Sequence, residues 1–166
     1  MSSDVRAQTE AHQESSVIHA SCYCGAASYK VEGKPYFSLY CHCTQCQRIH
    51  GSPFVLVLHY PSKAVAWTHT DPDAVFTKSK AEDEWKEWRC KSCLGILGSE
   101  NSSRQRWSLK GALFCRNTQG LIENWHLVKP TGHMFYDTRM LDVNDGLPKW
   151  ESYAGASRRI DSDVRS

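Results

Sequence analysis

A chain of 166 residues is long enough for one domain with a true hydrophobic interior, and 40% apolar with 23% charged residues describes an ordinary globular protein. A net charge of +2 is too small to argue for nucleic acid, whose binders show a basic stripe or a much larger excess, and the Arg158-Arg159 pair reads as part of a solvated tail. No stretch approaches the roughly 18 apolar residues of a membrane span, and the polar run 1–16 lacks the apolar segment of a secretory signal, so a cytoplasmic location is expected.

Taken in chain order, residues 1–16 are rich in Ser, Gln, Glu and Asp and are expected to be a disordered leader. The folded domain is expected over 17–152. Ala27, Tyr29 and Val31 alternate with Ser28 and Lys30 and stop at Gly33, which predicts a strand. Tyr36 to Tyr40 is a second candidate and leads into Cys41. Phe54 to Leu58, begun by Pro53, is a continuous apolar run that suits a strand buried on both faces or a buried helical turn. Glu82 to Trp88 makes a short helical or extended approach to Cys90. Trp107, Leu109 and Phe114 form another strand-like stretch, broken by Gly111, and His133 to Tyr136 follows Gly132 as a further strand. From residue 153 the run Ala-Gly-Ala-Ser-Arg-Arg predicts a flexible C-terminal tail. Many short strands with turns between them predict a mainly β fold. Six Trp, seven Tyr and five Phe suit either its core or an aromatic pocket.

Seven of the eight cysteines fall in three tight clusters: Cys22-Tyr-Cys24, Cys41-His-Cys43-Thr-Gln-Cys46 and Cys90-Lys-Ser-Cys93. In a reducing cytosol such cysteines point to metal or catalysis rather than disulfides. A Cys-x-x-Cys turn aims two thiolates into one tetrahedron, and soft thiolates at this density favour zinc. One economical division gives four ligands to one zinc, with Cys22 and Cys24 joining Cys90 and Cys93. Cys41, Cys43 and Cys46 then hold a second zinc whose fourth position stays free for water, substrate or an external thiol. The spacing alone equally allows all seven to serve scaffold zinc, or some to be buried free thiols.

These motifs, with Gly25-Ala26 after the first pair and Gln47-Arg48 and Gly51 after the triplet, resemble the glutathione-dependent formaldehyde-activating enzyme family, which includes the centromere-protein-V domain. His133-Met134-Phe135-Tyr136-Asp137-Thr138-Arg139 and Asp145-Gly146-Leu147-Pro148 resemble that family's closing segments. The resemblance covers roughly 18–150. It implies an Mss4-like β-sandwich or β-tent of short antiparallel strands stapled by zinc. It implies two zinc ions per chain, one structural on Cys22, Cys24, Cys90 and Cys93, and one reactive on Cys41, Cys43 and Cys46. It also implies a carbon–sulfur lyase that joins a small-molecule thiol such as glutathione to formaldehyde. Two departures stand out: Leu94 precedes Gly95 where the family has Gly directly after the knuckle, and Met140-Leu141-Asp142 replaces the family's Pro-Trp.

Around the triplet, alternation points His42 away from the metal. Arg48 and His50 could hold the carboxylate of a peptide-like thiol, move a proton, or be plain polar surface; Arg48 is grouped with the triplet as a catalytic candidate. His133 reads as a structural histidine. Trp67, Trp85 and Trp88 read as core or lid, and Cys115 as a small buried hydrophobe, with a fourth ligand or a reactive thiol as its alternatives. The competing function is a non-catalytic zinc module that docks a protein partner. A pure scaffold, however, has no need of a three-ligand site.

Overall fold

The computed structural model describes residues 16–79 and 84–160. The expected leader lies almost wholly outside the described residues, as do residues 80–83 and 161–166.

Two sheets make the body. Strands β1 (Val17–Ser21), β2 (Ser28–Glu32) and β5 (Val65–Trp67) form a three-stranded antiparallel sheet in the order β1-β2-β5. The larger sheet has seven strands. Its members are β3 (Phe37–Cys41), β4 (Val55–Pro61), β6 (Phe76–Lys78), β7 (Trp85–Cys90), β8 (Ile96–Asn101), β9 (Arg106–Lys110) and β10 (His133–Met134). The order is β10-β3-β4-β9-β8-β7-β6, antiparallel except for the β10–β3 edge. The longest helix among the described residues, α1 (Thr44–His50), follows β3.

The small sheet covers one face of the large one, and the core lies between them. Ile18, Tyr29 and Val31 meet Leu58, Tyr60, Leu97 and Leu109. Trp67 from β5 packs on Phe76, Trp88 and Trp107 at ring-centroid distances of 4.1, 4.9 and 5.3 Å. A fully buried aromatic contributes on the order of 1.5–3 kcal/mol, so this cluster helps hold the two sheets together. Trp67 and Trp88 are thus core, as the sequence suggested.

The approach to Cys90 is extended, as β7. The stretch after Gly111 is not strand but a 3-10 turn, Gly111–Leu113. The last family-like segment pairs for only two residues before Phe135 enters a left-handed conformation and a 3-10 turn, Tyr136–Thr138, begins. A flexible tail was expected from residue 153, yet the described chain folds back as far as Ile160. Trp150 bridges Arg159, the Ile160 N–H donates to the Lys149 carbonyl at 3.0 Å, and Ile160 is buried.

Candidate metal centres and the cavity beside them

Cys22 leaves β1 into a tight turn. Its carbonyl accepts from Gly25 N–H at 3.0 Å, and its sulfur accepts from Ala27 N–H at 3.3 Å. Cys90 ends β7, and the Leu94 N–H returns to its carbonyl at 2.9 Å. Leu94 sits at φ 59, a left-handed position that glycine takes without strain. The knuckle therefore keeps its turn despite the substitution, with the Leu94 side chain exposed.

These two turns bring the sulfurs of Cys22, Cys24, Cys90 and Cys93 within 4.8 Å of one another. Cys22 and Cys24 are 3.5 Å apart, and Cys24 and Cys90 are 3.8 Å apart. A zinc tetrahedron with bonds near 2.3 Å has an edge of about 3.8 Å, so the donor set fits zinc in chemistry and spacing. Burial pushes the Cys22 thiol up to about 12. Cys93 is drawn down to about 6, first by the Gly95 N–H and then by the Cys24 N–H. A cation would replace the protons these crowded thiols share.

The second cluster is local. Cys41 ends β3, Cys43 is the N-cap of α1 and accepts from the Cys46 N–H at 3.3 Å, and Cys46 lies in the first turn. Their three sulfurs also lie within 4.8 Å of one another. The Cys43 thiol is pulled down to about 2, first by the hydrogen bonds it receives from Cys41 and Cys46 and further by the N–H groups of Cys46 and Gln45. Cys41 is pushed up, chiefly by that same contact with Cys43. The triplet thus concentrates one negative charge, a fit for a cation, and offers three donors where a closed zinc site has four.

His42 points away from the sulfurs, as alternation required, but into the interior and not to the surface. It is fully buried, and its Nε2 lies 2.9 Å from His133 Nδ1. His133 Nε2 lies 2.9 Å from Asp145 Oδ2. The His42 backbone is clamped as well: its N–H donates to Met134 O at 3.0 Å, and its carbonyl accepts from Gln47 Nε2 at 2.6 Å and Thr138 Oγ1 at 3.0 Å. The two closing segments therefore brace the triplet loop from behind.

In front of the triplet, over the large sheet's second face, lies a cavity of about 470 Å³ that Cys41 and Cys46 line. His50, one turn after Cys46 on the same helix face, lines it too, and burial lowers its pKa. Trp85 walls it, so this tryptophan belongs to the cavity and not to the core. The central strands contribute His59, Ser108, Arg106 and Lys110, polar side chains on the face opposite the apolar core. Arg48 is not among the lining residues. It is exposed on another side of α1, in a shallow hollow with Gln47, Pro53 and Met140, because a helix turns residue 48 away from the face that 46 and 50 share. The sequence reading missed Arg106 and Lys110, and Cys115 joins neither cluster.

A mainly β protein with one closed four-thiol cluster and one three-thiol cluster opening into a cavity is a candidate two-metal thiol protein. Residues 17–138 match the family described as glutathione-dependent formaldehyde-activating enzyme, and the chain belongs to that family. No curated protein matches it. Among solved structures, a Rhodobacter sphaeroides protein is similar at 17% identity, with a TM-score of 0.47, covering 61% of this chain and 92% of that one. No helix among the described residues is long and apolar enough to cross a membrane.

Proposed function

We propose that the protein is a zinc-dependent carbon–sulfur lyase of the glutathione-dependent formaldehyde-activating type, acting in the cytoplasm on adducts of a small-molecule thiol with a small aldehyde or related electrophile. One observation carries this reading. The three thiols of Cys41, Cys43 and Cys46 converge at the edge of a cavity large enough for a peptide-like ligand, while Cys22, Cys24, Cys90 and Cys93 already make a complete four-donor set elsewhere. A scaffold needs no second, three-donor site open to a cavity.

Zinc held by the triplet would supply a position at which a thiol loses its proton near neutral pH or a carbonyl oxygen is polarised. The chain's own residues do the rest. Cys41 and Cys46 fix one side of the reacting centre from rigid elements, a strand end and a helix turn. His50, with its pKa lowered by burial, is uncharged near neutral pH and faces the same space, so it takes the proton of the incoming thiol. In the forward direction sulfur bonds to the aldehyde carbon, the carbonyl π pair moves to oxygen, and the proton lost from sulfur ends on that oxygen. Phe37, Val57 and Met134 give the cavity an apolar side that limits water.

The test is metal-resolved activity. Purified protein should carry two zinc ions per chain. Mild chelation should remove one of them, abolish turnover of glutathione with formaldehyde, and leave the melting temperature nearly unchanged; zinc should restore turnover. Turnover that survives removal of the labile zinc would sink the proposal.

A further inference from the structure

Strand β9 carries Arg106, Ser108 and Lys110 on the cavity face of the large sheet, while Trp107 and Leu109 enter the core. Lys110 is only 9% exposed, and among the described residues its ammonium has no side-chain hydrogen bond and no carboxylate partner, its charge acting on the Cys46 thiol of the triplet. The Nε of Arg106 is buried without a hydrogen-bond partner, and the guanidinium rests 5.5 Å from the Tyr36 ring. A buried cation without a hydrogen-bonded carboxylate is costly, and an anionic ligand relieves that cost. The other charges at the cavity are already matched. Arg104 pairs with Glu84 at 3.5 Å, and the Glu87 carboxylate pairs with Arg89 at 2.6 Å.

Register fixes where the two cations stand. Lys110 is opposite Val57, which is opposite Leu39, one row of residues on this face from Cys41. Arg106 is opposite Pro61, at the far end of the same strand. Four residues of strand put their Cα atoms about 13 Å apart, on one face. The Ser108 hydroxyl lies between them, and Ser99 on β8 is its cross-strand partner. An extended three-residue chain spans about 10 Å, so one ligand of that length reaches both cations.

We propose that Lys110 and Arg106 are the specificity-determining residues of this site, gripping the two carboxylates of an extended peptide-like thiol, one beside the Cys41–Cys43–Cys46 cluster and one at the distal end of the cavity. The role rests on the lyase reading for what the ligand does, but its binding test does not require turnover. Uncharged thiols and small aldehydes alone leave both cations unmatched. They bind weakly.

The experiment is calorimetric titration of the zinc-loaded protein with S-methylglutathione, which cannot react, and with its dicarboxyl dimethyl ester. The acid should bind at least about tenfold more tightly than the ester, the difference expected when charge-assisted hydrogen bonds are lost. Lys110→Met and Arg106→Met should each weaken binding of the acid about tenfold, leave ester binding unchanged, and flatten the dependence on salt, while Lys110→Arg keeps most of the affinity. Zinc content and melting temperature report whether each variant folds; if one does not, the acid-against-ester comparison on the parent protein decides. An ester that binds as well as the acid, variants that bind the acid as the parent does, or a parent that binds neither at millimolar concentration overturns the assignment. Charge-dependent binding without any turnover would leave the carboxylate-gripping role of Lys110 and Arg106 standing and remove the lyase reading. Turnover with unchanged KM in both variants would do the reverse.

Discussion

Consider Cys24→Ser and Cys43→Ser, each of which removes one thiol from one cluster. Cys24 is exposed, so its replacement leaves no cavity in the core. Serine at 43 remains a good N-cap for α1, so that replacement does not disturb the helix start. What differs is the loop each metal would close. Cys24 and Cys90 are 66 residues apart, whereas Cys41 and Cys46 are 5 apart. Closure entropy of the form (3/2)RT ln n makes the longer staple worth roughly 2 kcal/mol more, and the four-donor site binds its metal more tightly besides. For a chain of this size that is about 4–9 °C in Tm. Cys24→Ser should therefore melt at least that far below Cys43→Ser, measured by circular dichroism at one protein and one zinc concentration, with zinc counted per chain. Equal melting temperatures, or a lower one for Cys43→Ser, would refute the division into a structural and a non-structural cluster.

Three further outcomes follow from single residues. Leu94→Gly relieves the left-handed backbone at φ 59 and should raise stability by about 0.5–1 kcal/mol in urea unfolding; a loss would show that the exposed Leu94 side chain matters more than its backbone. Burial lowers His59 from 6.5 to about 3, so below pH 6.5 the unfolded chain takes up a proton that the folded one refuses. Stability is fully present above pH 6.5 and falls by up to about 1.4 kcal/mol per pH unit below it. His59→Asn should shrink the difference in urea midpoint between pH 7 and pH 5, and an unaltered difference would count against this origin. Asp145→Ala removes the carboxylate that meets the buried His133 at 2.9 Å and should cost about 1–3 kcal/mol in thermal unfolding; a parent-like melt would show that the histidine pair needs no anchor.

Ligand chemistry was the most legible layer of the sequence. Thiolates at Cys-x-Cys and Cys-x-x-Cys spacing have few other uses in a reducing setting, so the two clusters the structure assembles are those the spacing suggested. Strands β2 and β3 were readable because Tyr29, Val31 and Leu39 must face an interior. Other elements carried weaker signals. β4 runs on through His59 and Pro61, past the apolar run, because His59 faces the cavity and breaks the pattern. β8 reads Ile-Leu-Gly-Ser-Glu-Asn, with Ser99 on that same polar face, and was not foreseen. α1 contains no buried residue. Its ends are set by the Cys43 cap and by Gly51 at φ 58, so it has no apolar stripe to detect. The alternation Arg-Trp-Ser-Leu-Lys of β9 announces a strand, but polar alternate positions ordinarily face water, and only the tertiary fold shows that Arg106 and Lys110 face a cavity. Arg48 attracted notice for its nearness in sequence to the triplet, which a helix converts into distance from its working face.

The central claim, that Cys41, Cys43 and Cys46 carry the chemistry, is tested most directly by the rate at which glutathione and ¹³C-formaldehyde exchange with S-hydroxymethylglutathione, followed by NMR with parent protein and Cys46→Ser at matched folding. Exchange well above the uncatalysed rate is expected with the parent, and exchange at the uncatalysed rate with a Cys46→Ser protein that still melts cooperatively and retains one zinc. Equal exchange with both proteins, whether fast or at background, would contradict it.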